Sequence, residues 1–246
     1  ALHTLAYTHT EAWWLQLAAV ALLAWRVAAC TAPRHAALLG LAFGTGWLCA
    51  GVWWLFISMH RYGGLPAWMA AGAVLALALF LSLYLAAAMA AFVRWRRGRA
   101  AVDAAFFAAL WLLAELARGV LFTGFPWVAS GYAHVDGPLA VLAPWVGVYG
   151  IGAVAALLAA ALVLPRTRRG RLAGAGVVVA ALAAAAFAPR SDFTRPTGTL
   201  SVSLLQTNVA QDEKFSMEHL PAALAWADAA LRGAPGELVV GPETVI

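Results

Sequence analysis

Six stretches of the chain are apolar almost without a break, at roughly 12–29, 36–59, 67–93, 102–122, 138–163 and 171–188. A helix crosses the hydrocarbon core of a bilayer with about 20 apolar residues at 1.5 Å each. The pattern therefore predicts about six membrane spans, the first and last being the shortest. The intervening segments carry turn and breaker residues: Thr31-Ala32-Pro33, Gly63-Gly64-Leu65-Pro66, Gly98, Gly124 to Pro138, and Pro165 to Gly170. In the second run, Gly40, Gly44, Gly46 and Gly51 offer surfaces without side chains, which let another helix approach closely.

The pattern changes after Pro189. Residues 199–206 alternate polar and apolar with period two, as a half-buried strand does. Residues 217–232 then read as an amphipathic helix with Leu220, Leu224, Ala227 and Leu231 on one face. Residues 237–240 read as a second, buried strand running into Gly241-Pro242-Glu243. Residues 1–190 are thus expected to form a transmembrane helical domain, and 191–246 the start of a separate domain outside the membrane. About 50 residues are too few for a core of their own.

Composition agrees with the membrane reading. Of 246 residues, 64% are hydrophobic and only 11% charged, against roughly a quarter charged in ordinary soluble domains. The net charge of +5 could suggest nucleic acid, but its distribution points elsewhere. Arg94, Arg96, Arg97 and Arg99 form one cluster, and Arg166, Arg168, Arg169 and Arg171 another, each between two apolar runs. That is the mark of the positive-inside rule, with contact to anionic lipid as a second reading. The loops at 30–35, 94–101 and 164–171 hold nine arginines. The alternate loops hold three, Arg61, Arg190 and Arg195. The first set is expected on the cytoplasmic side, and residues 1–11 and everything after 189 on the outer side. Trp13, Trp14, Trp53, Trp54, Trp127 and Trp145 fall near span ends or outer loops, where amphipathic rings suit the headgroup region.

Few residues suggest chemistry directly. Cys30 and Cys49 lie at different expected depths and have no neighbouring base, so neither a disulfide nor a nucleophile is expected. Glu115 and Arg118 share a face of the fourth run at i and i+3. Intramembrane charges are costly and tend to mark function. Two readings stand: a self-neutralising pair that locks helix packing, or an Arg118 fork that contacts a lipid phosphate. The loop from Thr123 through Gly124, Phe125, Pro126 and Trp127 to Pro138 reads as a lipid-facing lip or as an interfacial anchor. Ser130, His134 and Asp136 make a poor hydrolytic triad, because no nucleophile elbow is present. Glu243, just past a strand and a Gly-Pro break, sits where α/β folds carry catalytic groups. No metal motif or phosphate-cradling glycine loop is present, and no cofactor is expected.

Together these residues resemble bacterial apolipoprotein N-acyltransferases. The resemblance runs through Gly51-Val52-Trp53-Trp54, Gly63-Gly64-Leu65-Pro66, Leu81-Ser82-Leu83-Tyr84 and Glu115-Leu116-Ala117-Arg118-Gly119. It continues through Thr123-Gly124-Phe125-Pro126-Trp127, Gly131-Tyr132, Asp136-Gly137-Pro138-Leu139, Leu142-Ala143-Pro144, Ser203-Leu204-Leu205-Gln206, Gln211, Lys214 and Pro242-Glu243. The family's pattern has Trp where Gly241 and Phe215 stand here.

The resemblance implies an eight-helix domain in the bacterial inner membrane, bearing a periplasmic nitrilase-like αββα domain with a Glu-Lys-Cys triad. Glu243 matches the triad glutamate. Arg118, Gly124, Phe125, Pro126 and Trp127 are the expected substrate-binding residues. A phospholipid acyl donor and a diacylglyceryl apolipoprotein acceptor are the implied partners of a monomeric enzyme. The triad lysine and cysteine are expected beyond position 246, and a first and a last helix of the family are likewise expected to lie outside these 246 residues. The chain is accordingly expected to be an N-terminal fragment, inactive alone. The rival readings are a non-catalytic scaffold or transporter, and a related nitrilase-like acyltransferase or amidase with another acceptor.

Overall fold

A computed structural model describes residues 2–188, 193–206, 208 and 220–242. The chain divides into two compact units, Ala1–Ser191 and Asp192–Ile246.

The first unit is helical. Helices α1 (Leu2–Thr8), α2 (Trp14–Ala28) and α3 (Pro33–Gly51) are followed by the short α4 (Trp54–Ile57), which runs into one π-helical turn, Ser58–Tyr62. Then come α5 (Ala67–Trp95), α6 (Ala100–Val120), α7 (Ala143–Val163) and α8 (Arg168–Phe187). Four segments among the described residues are long and apolar enough to cross a bilayer: Ala67–Trp95, Ala100–Thr123, Pro138–Val163 and Arg168–Phe187. Pro33–Gly51 and Trp54–Tyr62, bent by 53°, make a fifth if counted as one broken span. The protein is therefore polytopic.

The count of six needs correction at two places. The run at 12–29 yields an α-helix of 15 residues, or about 22 Å, short of the roughly 30 Å core. Thr10–Ala12 instead form a 3-10 turn. The run at 36–59 is not one straight helix. It breaks after Gly51, where a Cβ would come within 2.9 Å of Val128 Cγ1, so the segment after α6 packs against the bend. The described residues before α2 are ordered as α1 and the Thr10–Ala12 turn. Within α1, His3 is 2% exposed, with its ring 4.3 Å from that of Trp47.

One large core joins α2, α3, α5, α6 and α7 through residues such as Val20, Trp47, Phe92, Phe107, Trp111 and Ala156. Its centre is aromatic: Trp47 and Trp111 stack at 5.9 Å and 12°. Gly40 and Gly44 let α5 come close, since a Cβ there would meet Leu85 O at 2.8 Å and Ser82 Oγ at 2.7 Å respectively. Gly46 faces open space, so only part of the glycine stripe serves this contact. Helix α8 packs at the margin through Val178 and leaves Leu172, Val177, Val179 and Phe187 exposed, as suits side chains solvated by lipid.

In the second unit, β1 (Val202–Leu204) and β2 (Leu238–Val240) pair in parallel, with α9 (Leu220–Gly233) between them in sequence. Strand, helix, strand is the order the pattern predicts. The part of that helix expected at 217–219 lies outside the described residues. The face of α9 that is turned inward carries Leu220, Ala223, Ala227 and Ala230, while Leu224 and Leu231 are exposed. Strand β2 is not buried: Leu238 and Val240 are 45% and 43% exposed. A single helix can shield only one face of a two-stranded sheet.

Candidate functional site

The lip begins where α6 stops. Phe122 and Thr123 take positive φ values of 53° and 71°, and Gly124 follows at 80°. Such angles are costly for residues with a Cβ. At Gly124 a Cβ would collide with Gly119 O, so only glycine fits. The turn brings Phe125 back over the helix end, where its N–H donates to Arg118 O at 2.7 Å.

Beneath this turn lies a buried polar network. Glu115 is 3% and Arg118 4% exposed. The Arg118 guanidinium donates to Phe125 O at 3.1 Å, to Trp127 O at 2.7 Å and to Glu115 Oε1 at 3.5 Å. It also lies 5.3 Å from the centre of the Trp47 ring. Glu115 Oε1 further accepts from Ser130 N at 2.7 Å. Its Oε2 accepts from Ser130 Oγ at 2.5 Å and from Trp111 Nε1 at 3.0 Å. Four donors saturate a carboxylate, so the charge is fully hydrogen-bonded despite its burial. Gly152 completes the enclosure, since a Cβ there would collide with Ser130 Oγ. From the other side, Tyr7 Oη donates to Val128 O at 3.0 Å, with Val128 itself at φ 52°.

The network thus grips the lip by its backbone and leaves its side chains for other work. Phe125 is half-buried against the Leu48, Ala78 and Leu81 cluster. Trp127 is 52% exposed, its ring 5.3 Å from Phe125 and 6.4 Å from Trp54. Phe122 is 79% exposed and leans on Phe80. Trp53 and Tyr132 are exposed too. The outcome is an aromatic surface on a rigid backbone. The cavity beside Glu115 and Arg118 is only about 20 Å³, far below the roughly 300 Å³ at which ligand pockets begin. A cavity of that size leaves no room for a lipid chain within the network.

Ser130, His134 and Asp136 do not form a triad, because each has a different partner. Ser130 serves Glu115, His134 Nε2 donates to Gln16 Oε1 at 3.2 Å, and Asp136 accepts from Thr10 Oγ1. Burial lowers the His134 pKa to about 4. Its ring is neutral near pH 7.

Trp111 stands at i−4 from Glu115, a spacing that could have revealed the pair. Ser130, fifteen residues away, had no such signal. The two cysteines are free thiols. Among the described residues, no group of three or more His, Cys, Asp or Glu side chains could hold a metal ion. Glu243, with Gln211 and Lys214, lies outside the described residues.

Residues 1–161 match the family model for the apolipoprotein N-acyltransferase N-terminal domain. The chain belongs to this family. It is 53% identical to the apolipoprotein N-acyltransferase of Verminephrobacter eiseniae over 95% of its length, and 45% identical to that of Ralstonia nicotianae over 99%. The Pseudomonas putida protein of the same name is 39% identical over 87%. These alignments span 47%, 47% and 44% of the relatives, so the chain covers about half the length of the curated relatives it matches. The family domain contains both α6 and the lip.

Proposed function

We propose that this chain is the membrane platform of an apolipoprotein N-acyltransferase, which moves an acyl chain from a phospholipid to the N-terminal cysteine amine of a diacylglyceryl apolipoprotein. The family match across residues 1–161 carries the reading. The lip supports it: Arg118 acts as a positioning residue, while Trp127 and Phe122 present rings to the acyl chains of donor and acceptor. Gly124 and Pro126 shape the turn that presents them, and Phe125 anchors it.

In this reading residues 191–246 begin a nitrilase-like αββα domain on the periplasmic face of the inner membrane, and the parallel pair β1 and β2 is its first βαβ unit. Glu243 is the general base. It takes the thiol proton of a cysteine supplied elsewhere in the whole protein, and the thiolate attacks the phospholipid ester carbonyl. The carbon–oxygen bond breaks, and the lysophospholipid leaves with the proton. The lipoprotein amine then attacks the thioester, forms the amide and returns the thiol. A lysine stabilises the oxyanion in both steps. No cofactor is needed, and a monomer suffices.

The test uses the full-length product of the gene, purified in detergent with phospholipid and then with a diacylated lipopeptide. Mass spectrometry should find a thioester first and an N-acylated lipopeptide second. Glu243→Gln should abolish both with the fold intact. A wild-type protein that acylates a different amine but never the lipopeptide would overturn the choice of acceptor.

A further inference from the structure

At the end of the first unit away from the lip, a second cavity opens among the ends of five helices. Its volume is about 540 Å³, within the range of small-molecule sites. Trp25 and Ala28 come from the end of α2, Phe92 and Arg96 from the end of α5, and Asp103 from the start of α6. Leu162 to Arg166 continue from α7, and Arg171 belongs to the start of α8. Both arginine clusters contribute to its rim.

The charges facing this cavity are three guanidinium groups and one carboxylate. Asp103 is 6% exposed. It accepts from the backbone N–H of Arg97 at 2.7 Å and of Gly98 at 2.9 Å, so its oxygens are spent on shaping the turn between α5 and α6. Arg96 donates to Ala28 O at 2.5 Å and to Cys30 O at 2.7 Å, capping the end of α2. Arg171 makes one long contact, 3.5 Å to Arg166 O. The guanidinium of Arg166 has no acceptor among the described residues. Arg166 and Arg171 are both exposed at the mouth of the cavity. Two forks are therefore left to meet an anion, over a wall made by Trp25, Phe92, Leu162 and Val163.

We infer that this cavity is a binding site for the phosphodiester headgroup of an anionic phospholipid, held by Arg166 and Arg171 and seated against the apolar wall. Planar forks suit phosphate oxygens. The site lies at the ends of membrane-spanning helices, which is headgroup depth. An inorganic phosphate would satisfy the arginines but leave the apolar wall against water, so the lipid is the better ligand. Basic pockets between helix ends are where such headgroups bind. The site is separate from the lip and independent of which acceptor the enzyme acylates.

The test is native mass spectrometry on the full-length protein, delipidated and then offered phosphatidylglycerol, phosphatidylethanolamine or inorganic phosphate. Phosphatidylglycerol should bind at least about tenfold more tightly than phosphatidylethanolamine, and raising salt from about 0.05 to about 0.5 M should weaken it. The double variant Arg166→Gln/Arg171→Gln should lose on the order of thirtyfold in phosphatidylglycerol affinity, and phosphatidylethanolamine, whose ammonium offsets its phosphate, should lose less. Both side chains are exposed, so the fold should survive, which a melting curve on the same sample checks. Equal retention of the two lipids, or an unchanged double variant, would overturn the site. Inorganic phosphate that displaces phosphatidylglycerol at equal concentration would overturn the lipid as its ligand.

Discussion

Replacing Arg118 by Met tests whether the buried network, rather than a lipid phosphate, is the guanidinium's partner. The substitution keeps the stem of the side chain and removes two bonds to carbonyl oxygens, at 3.1 and 2.7 Å. It also removes the contact to Glu115 at 3.5 Å and the cation over the Trp47 ring. Hydrogen bonds to a charged group contribute about 1.5–3 kcal/mol each. Breaking a buried ion pair by deleting one member costs about 3–5 kcal/mol. These contributions overlap, because the lip can relax and Glu115 keeps three of its four donors. A loss of about 4 kcal/mol is the expectation. At roughly 2–4 °C per kcal/mol for a domain of this size, the apparent Tm should fall by about 8–16 °C.

The assay is thermal melting of the full-length protein in detergent, combined with hydrogen exchange over residues 121–130. Exchange should rise first at the amides of Phe125 and Ser130, whose N–H groups meet Arg118 O and Glu115 Oε1. Arg118→Lys should fall in between, since an ammonium carries the charge without the planar fork. The double variant Glu115→Gln/Arg118→Met should lose less than the sum of the single losses, by more than about 1 kcal/mol, as residues in one network do. A different result would refute the reasoning. If Arg118→Met melts within about 2 °C of wild type and loses only phospholipid binding, the guanidinium serves the lipid and not the lip.

Gly124→Ala should destabilise by about 2–3 kcal/mol, because φ is 80° and a Cβ collides with Gly119 O; a melt that moves by less than about 2 °C would contradict this. Trp127→Ala should leave stability within about 0.5 kcal/mol, as exposed substitutions do. In the full-length protein it should slow thioester formation from phospholipid, and an unchanged rate would remove the lip from substrate contact. His134 should make the fold acid-sensitive. Its folded pKa is about 4 against a usual 6.5, so the unfolded chain takes up the proton first as pH falls. Its share of stability is complete above pH 6.5 and is lost toward pH 4, reaching about 2 kcal/mol by pH 5. Melting curves between pH 7.5 and 5 should be flatter for His134→Gln, and an identical slope would show that His134 is not the group titrating.

How much of this was legible along the chain depends on what kind of partner each residue has. Spans α5 to α8 were readable because lipid and core ask for the same apolar side chains, and an unbroken run satisfies both. Helix α2 was misjudged for that reason: apolar length does not say where a turn such as Thr10–Ala12 begins, and so does not give helical length. The bend after Gly51 was hidden too: the side chain packed against Gly51 there is Val128, 77 positions away in the sequence. Glu115 and Arg118 announced themselves as a pair by spacing, but the pair is the lesser part of what they do. Arg118's shorter bonds go to the carbonyls of Phe125 and Trp127, and every residue has a carbonyl. A partner made of backbone leaves no mark in residue identity.

That has a consequence for the lip. Thr123 to Trp127 looks from residue types alone like a set of lipid-facing groups, with Arg118 beside them as a phosphate ligand. In the fold the two features belong to different layers. The buried charges hold peptide groups in angles that Phe122, Thr123 and Val128 would not choose unaided, with Gly124 supplying the one angle no side chain permits. The rings of Phe122 and Trp127 project from that frame. Under the proposed function, rings held on a backbone fixed from below would need little further ordering to meet an acyl chain, a saving in entropy that favours association. The intramembrane ion pair at this place offsets part of its desolvation by holding the backbone of Phe125 and Trp127, while the exposed rings of Phe122 and Trp127 stay clear of the charges.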